Sequence, residues 1–254
     1  MIRVTGILLA AFVAGMHLAV IGHELGHALG FLLGGGHVDR IVMLTPLPAG
    51  HVRGNTPVPW LVTWGGVLFG TLATVIPFCV AQGTRRRPLV RFLALMTVVF
   101  CLGHNGTYLF VGGLIPFSDA KGMVDLGAPR WLLIAAGFPF LAGMVLALRE
   151  AIRPLRGELS RPQFLLAVEA GLLSVPALMV MLMGQAVDPT TRAGVIGLVV
   201  TYGVCFAVAV WGCDTKTADP VGGSPAAPSR LWPAWTSVTA VVVLALEWLA
   251  FAHA

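Results

Sequence analysis

The chain has 254 residues, 57% hydrophobic and only 11% charged, with a mean hydropathy of +0.88. A water-soluble domain carries about 25% charged residues, so there is too little polar surface here to cover a globule in water. The formal net charge of +5 would invite nucleic acid as a partner in a soluble protein. Here the arginines stand in short loops between apolar runs, where anchoring and topology account for them, and no nucleic-acid partner is expected.

The apolar runs approach the roughly 20 residues needed to cross a lipid bilayer. They are continuous and do not alternate, which disfavours a barrel. The expected fold class is therefore all-α: a multi-pass transmembrane helical bundle in the cell membrane, with six to seven spans. In chain order these are 4–33, 60–82, 89–115, 131–148, 164–185, 194–211 and 235–251. The fourth and sixth are short and glycine-rich, which sets the lower count.

The first run begins at Arg3 like a signal peptide, but it continues to Leu33 and contains His23, Glu24 and His27. That is too long for a cleaved segment, and it reads as a retained helix. Gly34, Gly35 and Gly36 stop it. The stretch 38–56 then mixes β-branched residues with Pro46, Pro48 and Gly50, the composition of a small β-hairpin or a re-entrant segment. Two basic loops follow, at 84–88 and 149–162, and a flexible Pro/Gly/Ala/Ser-rich linker lies near 213–230. Trp60, Trp131, Trp211, Trp232 and Trp235 mark span ends, as an interfacial aromatic belt requires. Cys79, Cys101, Cys205 and Cys213 form no CxxC pair and read as small packing residues.

Most of the 16 Lys and Arg fall on one side of the expected bundle: Arg3, then Arg85, Arg86, Arg87 and Arg91, then Arg149, Arg153, Arg156 and Arg161, then Lys216 and Arg230. Arg40, Arg53, Lys121, Arg130 and Arg192 fall on the other. This bias places the N-terminus in the cytoplasm.

Chemistry enters with His23-Glu24-Leu25-Gly26-His27, an H-E-x-x-H motif. Positions i and i+4 share one helix face, so both imidazoles reach one metal ion. Glu24 is turned about 100° from His23 and stands beside that ion, placed to accept a proton from a water that zinc acidifies. Three ionisable groups within five residues of an apolar span are expensive to insert, which sets the motif apart from ordinary helix packing. A catalytic zinc ion takes a third protein ligand. The best candidate is Asp119, in Leu114-Ile115-Pro116-Phe117-Ser118-Asp119-Ala120, with Asp125 as runner-up. The first and third spans end on the same side, which gives Asp119 a compatible depth. Pro116 breaks the helix there and lets the carboxylate turn inward.

These features together resemble the site-2 protease family of intramembrane zinc metalloproteases. The resemblance rests on His-Glu-Leu-Gly-His-Ala-Leu-Gly at 23–30 within a span, the Gly-Gly-Gly after it, and Pro-x-x-Asp at 116–119 closing a later span. Asn105 lies upstream of that proline, as an asparagine often does in the family. One departure is plain: the family form has Asp-Gly after the proline segment, whereas this chain has Ser-Asp-Ala. The resemblance implies one Zn2+ held by His23, His27 and Asp119, Glu24 as general base, and a membrane protein or peptide as substrate. It covers residues 1–130, read as a metalloprotease core with three transmembrane helices, and 131–254 adds further helices. It also implies a zinc ion nearer the cytosolic face, whereas the charge bias puts the motif end of the first helix outside.

His17 lies on a largely opposite helix face and reads as a packing residue. His37 and His51 belong to the interfacial segment, with His51 in a position to gate substrate. The His104-Asn105 pair needs polar partners in lipid. Asn105 is open to substrate binding, to orienting a zinc ligand or to interhelical bonding. Glu169 and Glu247 read as structural. No soluble sensor domain is visible, so regulation is left to the loops or to a membrane partner. Two rivals to the peptidase stand: a catalytically silent relative that binds or chaperones membrane proteins, and a histidine-rich di-iron oxidoreductase.

Overall fold

The computed structural model describes residues 2–43, 50–158, 163–164, 166–168, 170 and 189–212. The elements in order are α1 (Ile2–Leu33), β1 (His37–Met43), β2 (Gly50–Asn55), α2 (Pro59–Gly83), α3 (Pro88–Leu114), α4 (Ser118–Asp125), α5 (Arg130–Ile152), a 3-10 turn (Arg153–Glu158) and α6 (Pro189–Gly212). Five helices, α1, α2, α3, α5 and α6, are long and apolar enough to cross a membrane. Each matches an expected span to within a few residues. The fourth and sixth spans, expected to be short, are helices of 23 and 24 residues. Most of the expected span at 164–185, all of that at 235–251, the linker, Glu169 and Glu247 lie outside the described residues.

Local chemistry sets the element ends. Pro59 and Pro88 open α2 and α3 at their first helical positions, where a missing N–H is harmless. Gly35 adopts φ +73° as α1 ends, and the N–H groups of Gly35 and Gly36 donate to Leu32 and Phe31 carbonyls. This glycine-dependent stop turns the chain back into β1. β1 and β2 form the hairpin that the 38–56 composition suggested, an antiparallel pair in register from His37↔Asn55 to Met43↔Gly50 with an irregularity at Val38/Arg40. At the end of α3, Arg130 Nε donates to the Gly113 carbonyl at 2.8 Å, and its guanidinium also bonds the Leu114 carbonyl. A cation thus caps the negative end of that helix.

α1 and α3 are the central helices, with 61% and 67% of their most apolar stretches buried, against 28% for α2, α5 and α6. The outer three therefore present mostly apolar surface outward, including Leu68, Leu72, Ile76, Phe138, Leu146, Val200 and Val204. One core runs through α1, α3, α5 and α6 around Phe12, Met96, Phe100, Met144, Leu148 and Phe206. A smaller cluster of Val67, Leu109, Ala120, Met123 and Leu133 seats α4 across the other end of the bundle. The long apolar core fills the end near Arg3, and the polar cluster described next lies towards the hairpin end.

Candidate metal centre

His23 and His27 lie on α1, and both are buried at 2% and 7% exposure. His27 is six residues from the end of α1, about 9 Å along the axis at 1.5 Å per residue. Asp119 arrives from the start of α4. α3 stops at Leu114 before Pro116, Phe117 is extended, and Ser118 takes φ +46°. That conformation is rare for a serine, and the sharp change of direction brings the next carboxylate back to α1.

The three side chains meet. His23 Nε2 is 2.8 Å and His27 Nε2 3.2 Å from Asp119 Oδ2, and the two Nε2 atoms are 3.0 Å apart. The rings stand at 85° to each other, with centroids 4.6 Å apart. His27 Nδ1 donates to the Val62 carbonyl of α2 at 2.7 Å. Metal-binding histidines commonly give their other ring proton to a carbonyl in this way, which would leave the Nε2 lone pair for an ion once the Nε2 proton is lost. Burial opposes ionisation of Asp119, but the bonds from His23 and His27 and their charge overturn that opposition, so its carboxyl is held well below the ordinary range.

The group fits a single metal ion. Tetrahedral zinc with nitrogen and oxygen ligands at about 2.0–2.2 Å sets its ligand atoms about 3.3 Å apart, close to the separations observed. Space has been left for it too. A Cβ added to Gly66 of α2 would lie 2.6 Å from both His23 Cε1 and His27 Nε2, so the bare backbone there forms one wall of a cradle. His23, His27 and Asp119 are the one group of three or more potential metal ligands among the described residues. A di-iron centre would need a larger set.

Glu24 is buried, and its Oε2 has no hydrogen-bond partner among the described residues. It lies beneath β2, where a Cβ on Gly50 would stand 3.1 Å from Glu24 Cγ. Glu24, His27 and Asp119 open on a cavity of about 230 Å³, roofed by Gly50, His51 and Val52 of β2.

The remaining candidates separate clearly. Asp125 pairs with Lys121 at 2.5 Å on the exposed face of α4 and stays outside the cluster. Asn105, considered for substrate binding, is 1% exposed, and its amide donates to the Val67 carbonyl and Thr71 Oγ1 of α2 at 3.2 and 3.1 Å. It joins α3 to α2 and does not line the cavity. His17 is buried and bonds the Val13 carbonyl at 2.7 Å. His37 pairs with Asp39 at the exposed edge of β1. His104 is buried with its ring edge-on to His23, centroids 4.7 Å apart.

Three contributors escaped the sequence reading. The Val62 carbonyl and Gly66 act through backbone and carry no motif. Tyr108, which lines the cavity, is marked only by standing one helical turn after His104. No protein-family model, curated protein or solved structure matches the chain.

Proposed function

We propose that the protein is an intramembrane zinc metalloendopeptidase of the kind the site-2 protease resemblance implies. The observation that carries this reading is the meeting of His23, His27 and Asp119 in one cradle, with Glu24, whose Oε2 has no hydrogen-bond partner among the described residues, lining the same cavity. His23, His27 and Asp119 would hold one zinc ion. When bound, zinc acidifies water and polarises the scissile carbonyl.

The chain's own groups divide the rest of the work. Glu24 takes a proton from the attacking water and returns it to the amine nitrogen as the C–N bond breaks. The Val62 carbonyl fixes the His27 ring through Nδ1. The hairpin covers one side of the cavity with Gly50, His51 and Val52. β2 pairs only with β1 among the described residues, which leaves its second edge able to hold an extended peptide by main-chain hydrogen bonds. The substrate is a membrane-spanning segment or a short peptide, unwound locally so that its backbone reaches the cavity.

The test is cleavage of co-expressed membrane substrates, with metal content measured alongside. Glu24→Gln is expected to retain zinc and to lower turnover by about 10²–10⁴-fold. Wild-type protein that binds zinc but cleaves none of a broad substrate panel would point instead to the catalytically silent binding protein.

A further inference from the structure

Addition of water to a peptide carbonyl forms a C–O bond, sends the water proton to Glu24 and moves the carbonyl π electrons onto oxygen. Hydrolases commonly meet that developing negative charge with a preorganised hydrogen-bond donor. At the cavity, an ionised Glu24 and Asp119 only accept hydrogen bonds. The Thr63 hydroxyl already donates to the Pro59 carbonyl at 3.0 Å. His51 sits exposed on the hairpin.

Tyr108 differs from these. It reaches the cavity from α3, and its ring is held on three sides: 4.6 Å from His104, 5.6 Å from His23 and 5.6 Å from Phe117, centroid to centroid. A ring packed against three neighbours has little room to turn, so its place at the cavity is set before any substrate arrives. Ser118, the residue whose left-handed backbone turns Asp119 inward, lines the same cavity. A phenol accepts and donates at once. Its O–H can therefore donate at the cavity that Asp119 also lines. An uncommon backbone conformation on a residue that lines the cavity is the kind of local strain that collects at working sites.

We infer that Tyr108 is a catalytic residue whose hydroxyl donates a hydrogen bond to the oxyanion of the hydrated scissile carbonyl. The inference rests on the hydrolase reading and adds to it the group that stabilises the charge.

Tyr108→Phe removes one oxygen and keeps the ring between His104, His23 and Phe117. Its effect is read on purified, zinc-loaded protein by titration with two probes. One is a leucine-rich phosphinic tripeptide, whose tetrahedral anionic centre has the shape and charge of the hydrated carbonyl. The other is the corresponding planar tripeptide amide. The expected result is wild-type zinc affinity, a phosphinate affinity about 10–100-fold weaker and an amide affinity within about threefold of wild type. Unchanged phosphinate affinity in a zinc-loaded Tyr108→Phe protein overturns the role of Tyr108 and leaves the Glu24 comparison to decide the hydrolase reading. Loss of zinc from Tyr108→Phe overturns it as well, since the hydroxyl would then be supporting the metal cradle. A wild-type protein that takes up no zinc overturns both readings.

Discussion

Gly66 contributes by having no side chain. Its missing Cβ is what leaves room between the two imidazoles and α2. Gly66→Ala adds one methyl group where an ion would sit, at a helix position that alanine suits better than glycine does. The helix should therefore persist while the centre fails: zinc affinity falls by about 10–100-fold, and displacing the two buried rings lowers stability in detergent by about 1–3 kcal/mol. A metal titration beside a melting curve measures both. Equal zinc affinity in the two proteins would mean that the ion does not lie against Gly66. The same scale explains why the acid assignment was open in the sequence. Asp119 and Asp125 are six residues apart in one polar stretch, and only the turn at Ser118 and the pairing of Asp125 with Lys121 separate the carboxylate that joins the histidines from a surface charge.

At the scale of elements, the centre depends on how closely α1 approaches α2. Gly26, inside the metal motif, faces Gly65, and one turn later Gly30 faces the backbone at Leu61 and Val62. A Cβ on Gly26 would come within 2.7 Å of Phe69 Cβ and closer still to the Gly65 carbonyl. Small residues on a shared face are the usual means by which helices in lipid pack backbone to backbone. The same approach carries the Val62 carbonyl to His27 and Gly66 to both imidazoles. Gly26→Val is thus expected to destabilise the bundle by about 1–3 kcal/mol and to lose zinc, although residue 26 touches no ligand atom. Melting temperature and metal content measure the two effects, and retained zinc would contradict the link.

The helices were legible in the sequence because length and apolarity are local properties. So was the hairpin, because β-branched residues bounded by glycine and proline favour paired strands. The pair His23 and His27 was legible from helix periodicity alone. Gly66, the Val62 carbonyl and Tyr108 were not, because each acquires its role only when α2 and α3 close on α1. Asn105 shows the reverse case. A polar residue in an apolar span signals a partner, but not which one, and the partner is the α2 backbone.

On the scale of the whole molecule, the two ends of the bundle differ. Arg3 and the loop with Arg85, Arg86 and Arg87 stand at the end filled by the apolar core. The hairpin, α4 and the metal cradle stand at the other, with Trp60 and Trp131 exposed at the helix starts there. At the first end Glu150 joins α5 to α3 through Arg91 at 2.7 Å. The greater density of arginines at that end predicts that it faces the cytoplasm, with the hairpin and cradle towards the opposite face. Single cysteines in a cysteine-free background test this with a membrane-impermeant maleimide on intact cells: one at Arg53 should label and one at Arg86 should not. The opposite pattern would invert the topology and put the cradle on the cytosolic side, as the family resemblance implies.

The most direct measurement is X-ray absorption at the zinc edge on purified protein, with zinc quantified per chain. The expected spectrum has one zinc per chain, two imidazole nitrogens and carboxylate or water oxygens at about 2.0–2.2 Å. A chain free of zinc, a thiolate sulfur at about 2.3 Å, or a first shell without paired imidazoles would contradict a centre built from His23, His27 and Asp119.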